Sequence, residues 1–195
     1  LLAQGDESSA RALREQAIAS APQVPRPRMD LAALWTRAGQ ATKACKTLTE
    51  ALYAAPSAIP LIAPLLAQSA LAAGEGEATL ALLKSTYLDV PSLDVLDAIV
   101  TLEASRSELT PTERDWYARH LEKEPSLVAA TKWIAGEKLE REAFHPQVQR
   151  ALDHAVKPLT RYRCAACGFE AKVHFWQCPG CQAWDSYPAR RVEEL

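Results

Sequence analysis

The sequence predicts an all-α solenoid of helical hairpins that ends in a small C-terminal β module. Two observations predict it. Residue types recur at an offset of 34 through the first part of the chain, and four of the five cysteines fall between residues 164 and 181. The chain has 195 residues, the size of one or two domains. Hydrophobic residues make up 48% and charged residues 24%, which fits a packed core and excludes a disordered chain. The net charge of −2 gives no general electrostatic case for nucleic acid or an anionic membrane.

Gly5, Ala10, Ala17 and Pro22 recur as Gly39, Ala44, Ala51 and Pro56. An offset of 34 residues is the period of the tetratricopeptide helix-turn-helix repeat. Each member has a mechanical job. The glycine allows the turn between helices A and B. The two alanines, seven apart on helix B, let helix A approach closely. The proline stops helix B. In a third unit Ala78 keeps the frame, Gly74 and Pro91 fall one residue late, and Ser85 replaces the second alanine. Leu31 and Trp35 are the large positions of helix A in the second unit, and Leu65 begins the same pattern in the third. On this frame residues 1–4 close a helix A, so further repeats are expected upstream.

Amphipathic helices continue as "LDVLDAIVTLEAS", "TERDWYARHLEK", "SLVAATKWIAGEKLE" and "PQVQRALDHAV", with Pro91, Pro111, Pro125 and Pro146 at their boundaries. The apolar run 58–73 is interrupted by Pro60, Pro64, Gln68 and Ser69 and reads as a buried helix of the array. In the tetratricopeptide frame, Arg26, Met29, Thr36 and Arg37 lie on the inner helix of the second unit. They are candidate partner contacts for a carboxylate-bearing segment.

The tail carries the chemistry. Cys164-x-x-Cys167 and Cys178-x-x-Cys181 supply four thiolates, the donor set of a closed tetrahedral metal site. Gly168 permits the tight backbone after the first pair, and Pro179-Gly180 turns the second. Phe169, Ala171, Val173 and Phe175 alternate with polar residues, which predicts a strand between the pairs. A segment this short cannot hold itself by apolar burial. Structural zinc contributes about 10–16 kcal/mol in peptides of this kind. Zinc is the favoured metal, and iron, with electron transfer, is the alternative. Disulfides and a thioredoxin-like dithiol fit the paired spacing poorly.

These features, "YRCAACGF" and "WQCPGCQAW" after helical repeats, resemble the lipopolysaccharide assembly protein B family, with its rubredoxin-like tail. The resemblance implies a non-enzymatic adaptor on the cytoplasmic face of the bacterial inner membrane. It implies an N-terminal anchor that these residues do not include. It implies as partners a membrane ATP-dependent zinc protease, the deacetylase of lipid A synthesis and other lipopolysaccharide assembly proteins. The division expected is a repeat domain over 1–157 and a metal-binding domain over 158–195.

No phosphate-binding glycine loop, H-E-x-x-H or G-x-S-x-G is present, and no catalytic residue is assigned. His120, His145, His154 and His174 read as exposed or capping residues, and Cys45 as a small buried one. Arg161, Arg163 and Lys172 read as countercharges to a tetrathiolate or as a docking patch. Three functions remain open on the residues alone: adaptor, rubredoxin-type electron carrier, and zinc-ribbon nucleic-acid module. Nucleic-acid binding is not expected.

Overall fold

The computed structural model describes residues 7–106, 113–135 and 145–195. The chain divides between residues 105 and 106 into two compact units. The first is a stack of helical hairpins: α1 (Glu7–Ser20), α2 (Pro25–Arg37), α3 (Ala41–Ala54), α4 (Ile59–Ala73), α5 (Gly76–Asp89) and α6 (Leu93–Ala104). Neighbours in this order pack on one another, and α4 also packs on α6. The second unit holds α7 (Glu113–Lys123), α8 (Leu127–Ala135) and α9 (His145–Val156), followed by the cysteine-rich module with strands β1 (Tyr162–Arg163) and β2 (Glu170–Ala171). This is the predicted fold class.

The repeat signature works as local physics requires. α2 opens on Pro25, whose missing N–H costs nothing in a first turn. After α2, Gly39 adopts φ +69, and the Gln40 amide donates to the Trp35 carbonyl. Gly74 closes α4 in the same left-handed way at φ +74, with the Glu75 amide on the Ala70 carbonyl. Ala10, Ala44 and Ala51 are fully buried where helices approach. Gly5 lies outside the described residues. Trp35 receives Arg11 from α1 and Lys43 from α3 over its ring, at 4.9 and 4.6 Å.

The third unit corrects the expected frame. Ala78 and Ser85 are exposed, whereas Thr79 and Thr86 are buried. Leu65 is 38% exposed and Leu66 is fully buried. Gly74 and Pro91 are therefore not stragglers: from Leu66 onward the unit is displaced by 35 residues. The first residues of α2 and α4, Pro25 and Ile59, keep the offset of 34, so the extra residue enters within α4, ahead of Leu66. Burial follows the helix face, so a single insertion moves each packing position by one. The Thr86 hydroxyl is satisfied by the Leu82 carbonyl, which lets a polar residue stand where the second unit has alanine.

Residues Pro56–Ala73 form the one segment among the described residues long and apolar enough to cross a membrane. In this fold Ile62, Ala63, Leu66, Ala67 and Ala70 are buried in the helical core. A second correction concerns His120, which is 3% exposed rather than a surface residue. His154 is exposed as expected, and His145 is half-buried. The last five residues of the predicted helix 126–140 lie outside the described residues.

Leu66→Ala removes a fully buried side chain at the centre of α4 and is expected to destabilise the helical unit by about 2–5 kcal/mol. Ala78→Ser, at the exposed position, is expected to change stability by less than about 0.5 kcal/mol. Urea unfolding followed by circular dichroism measures both, and equal losses would contradict the 35-residue register.

Candidate metal centre

Two turns of the same design face one another. In the first, the Cys164 amide donates to the Phe169 carbonyl at 2.9 Å and the Gly168 amide to the Cys164 carbonyl at 2.9 Å. In the second, the Cys178 amide donates to the Ala183 carbonyl at 2.9 Å and the Gln182 amide to the Cys178 carbonyl at 2.8 Å. The residue after each second cysteine is left-handed: Gly168 at φ +77 and Gln182 at φ +61. Gly168 meets that need without a Cβ. Gly180 has a different reason to be small, since a Cβ there would meet Phe169 Cδ2 at 3.2 Å.

Folding back in this way turns amides toward sulfur. The Ala166 and Cys167 amides bond Cys164, the Phe169 amide bonds Cys167, and the Gly180 and Cys181 amides bond Cys178. The four Sγ atoms lie within 4.8 Å of one another. Cys164 and Cys181 are 3.9 Å apart, and Cys167 and Cys178 are 3.7 Å apart. A tetrahedron with metal–sulfur bonds of ~2.3 Å has edges of ~3.8 Å. The cluster thus fits one metal ion, and no disulfide joins its members.

The thiols titrate as a crowded set. Beside Cys164 the Ser186 hydroxyl, 3.2 Å away, holds the thiol down to about 6, with the two amides adding to it against burial. Cys167 is pushed up to about 12: its Phe169 amide favours the thiolate, but the sulfurs of Cys181, Cys164 and Cys178 and burial outweigh it. Cys178 is lowered as well: burial opposes this, but the Cys181 and Gly180 amides and the Cys181 sulfur outweigh it, so Cys167 carries the resistance that neighbouring sulfurs impose. A cation among the sulfurs removes that resistance. Cys164 and Cys178 are buried, while Cys167 and Cys181 are exposed.

The predicted strand 169–175 shortens to Glu170–Ala171, paired antiparallel with Tyr162–Arg163. The chain bends at 172–173, so the two-residue period does not persist. Val173 is 58% exposed and His174 turns inward, opposite to the expectation. Its ring lies 5.6 Å from Tyr162, 4.7 Å from Trp176 and 6.0 Å from Tyr187, edge to face. Nε2–H donates to the Tyr187 carbonyl at 3.1 Å, since a carbonyl only accepts. Burial lowers its pKa below the ordinary 6.5. Arg161 and Arg163 both pair with Glu170, at 3.6 and 2.8 Å, so much of the basic character read in this segment is met within the module.

Three residues of this unit carry more than the sequence indicated. Ser186 sits against Cys164. The Tyr187 hydroxyl donates to the Phe169 carbonyl at 3.1 Å and lies 3.9 Å from Cys178 Sγ. The Glu193 carboxylate accepts from Ser126 Oγ at 2.8 Å and from the Leu127 amide at 2.6 Å, at the start of α8. Aromatic richness hinted at Tyr187. Nothing local marks Glu193, whose partners are 65–67 residues away.

In the helical unit, Met29, Thr36 and Arg37 line a groove of about 520 Å³ between α2, α3 and α4, with Ala33, Leu65 and Gln68. Arg26 stands outside it, 3.9 Å from Asp30. Three of the four candidate partner residues are thus brought together. Cys45 is buried, and burial pushes its thiol up to about 11.

The fold and site define a class: helical repeats joined to a rubredoxin-type tetracysteine module. Residues 1–69 match the family model of the tetratricopeptide repeat, and residues 162–187 match that of the rubredoxin metal binding domain. Within the class, the chain resembles lipopolysaccharide assembly protein B. It is 44% identical over 41 residues to the proteins of that name from Escherichia coli strain K12, strain O6:H1 and O157:H7. The matched segment covers 20% of this chain and 10% of the length of those relatives.

Replacing Cys164 and Cys178 together by serine is expected to abolish stoichiometric metal, whereas Cys45→Ser leaves it intact; elemental analysis of reduced protein decides. His174 adds a pH dependence. As pH falls, the unfolded chain takes up the proton first, so this contribution is complete above about 6.5 and is lost on going below it, toward the lowered folded value. The stability difference between the wild type and His174→Gln is expected to shrink between pH 7 and 5, measured by denaturation with metal present in both. A difference independent of pH would contradict the buried neutral imidazole.

Proposed function

We propose that this chain is the working part of a non-enzymatic adaptor in the control of lipopolysaccharide synthesis. Its repeats hold a protein partner and its tetracysteine module keeps the C-terminal end in shape. The supporting observation is the pairing, in one chain, of tetratricopeptide hairpins with a four-sulfur cluster, two of whose edges match those of a metal tetrahedron. The resemblance to lipopolysaccharide assembly protein B supplies the pathway. Cys164, Cys167, Cys178 and Cys181 are the ligands, and zinc is the metal, because a redox-silent ion suffices for a structural role. Residues 1–157 act as the repeat domain and 158–195 as the metal domain.

The groove beside Arg37 takes a carboxylate-bearing segment of the partner, Met29 and Thr36 lying on its wall. Arg26 contributes at the rim. The partners are the lipid A pathway deacetylase and the membrane protease that degrades it, met at the cytoplasmic face of the inner membrane.

The test uses the full-length protein in a Gram-negative host lacking its own copy. The wild type is expected to shorten the half-life of the deacetylase several-fold. Cys164→Ser with Cys178→Ser is expected to lose this effect, and Arg37→Glu to weaken it without changing metal content. A half-life indifferent to the wild-type protein overturns the adaptor reading. A red protein with a reversible one-electron couple in its native host would favour the electron carrier instead.

A further inference from the structure

We propose that the C-terminal turn Val192–Glu194 is a metal-dependent latch, through which the cysteine module orders the N-terminus of α8. The proposal rests on the reading that the four cysteines hold a metal. At one end of the latch, Glu193 accepts from Ser126 Oγ and from the Leu127 and Val128 amides, the last at 3.1 Å. Ser126 in turn accepts from the Ala129 amide at 2.9 Å. Together they satisfy donors that the first turn of a helix leaves without partners, and the negative charge suits the positive end of the helix dipole.

At the other end the turn is tied to the segment that leads into the first cysteine. The Val192 amide donates to the Arg161 carbonyl at 2.7 Å and the Glu193 amide to the Leu159 carbonyl at 3.2 Å. Arg191 donates to the Thr160 carbonyl at 2.7 Å and stacks over the Tyr162 ring at 4.4 Å. Tyr162 is buried against His174, whose ring meets Trp176, two residues before Cys178. The path from sulfur to α8 is therefore continuous.

The turn itself is three residues long and none is buried. It has no core of its own, so its place depends on the carbonyls of 159–161 and on the Tyr162 ring. The carbonyls of Leu159 and Thr160 lie in the turn after α9, and Tyr162 beside them belongs to a module too small to hold itself without metal. Metal loss frees the turn, withdraws the Glu193 carboxylate and leaves the amides of Leu127 and Val128 without acceptors. Coupling of this kind is reciprocal: what metal does for the latch, the latch does for metal.

Hydrogen exchange of the whole chain, with zinc and after chelation, tests it. Zinc-loaded wild type is expected to protect the Leu127 and Val128 amides, and chelation to remove that protection. Glu193→Ala is expected to keep one zinc and a protected 162–187 segment, to expose these amides, and to bind zinc about 5- to 150-fold more weakly. Glu193→Gln, which keeps the shape, is expected to fall between. Wild type that keeps both amides protected after chelation overturns the latch, as does Glu193→Gln or Glu193→Ala behaving as wild type. Wild type that never binds zinc overturns the metal reading instead.

Discussion

Sulfur crowding governs the second unit. Four Sγ atoms lie within 4.8 Å of one another, and the raised position of Cys167 on the pH scale, pushed up by the sulfurs of Cys181, Cys164 and Cys178, is the trace of that crowding. A cation held by the four cysteines would offset that crowding, and the backbone is arranged for one. Two turns of identical hydrogen-bond pattern aim amides at the sulfurs, so that thiolate charge meets N–H dipoles. The aromatic residues then have a definite role. Tyr187 ties the two turns together through the Phe169 carbonyl, and Phe169 lies against Gly180 of the opposite turn.

The helical unit depends on a different constraint, the close approach of helices at small residues. Ala44 and Ala51 permit it in one hairpin. Thr79 and Thr86 permit it in the next, at the cost of hydroxyls that must bond within the helix or to a neighbour. The 35-residue spacing shows what the repeat conserves. Packing follows the face of the helix, so a residue added within the longer α4 moves the core positions after it together.

Charge in this protein is largely used at short range. Glu170 gathers Arg161 and Arg163, Trp35 receives Arg11 and Lys43, and Glu193 caps α8. Exposed pairs of this type contribute only about 0–1 kcal/mol each. Glu193 differs because it satisfies backbone amides that water or a side chain must otherwise serve. That separates a residue that couples elements from one that decorates a surface. It also explains how a turn of three exposed residues can matter to a helix far away in sequence.

Much was legible in the sequence, because the informative signals were local. Paired cysteines two residues apart, a glycine where φ must be positive and prolines at helix starts each act within a few residues, so the fold class and the cysteine cluster could be read directly. The repeat frame put Arg26, Met29, Thr36 and Arg37 on one helix, but not the groove that takes in the last three and leaves Arg26 outside. The tertiary structure decided what local pattern leaves open. It placed His174 inward and Val173 outward, because the chain bends after Ala171 and ends the alternation that a longer strand would have kept. It buried His120, shifted the third repeat by one position and chose Glu193 as the cap of α8. Each of these depends on which surfaces meet across dozens of residues, and spacing along a chain carries no record of that.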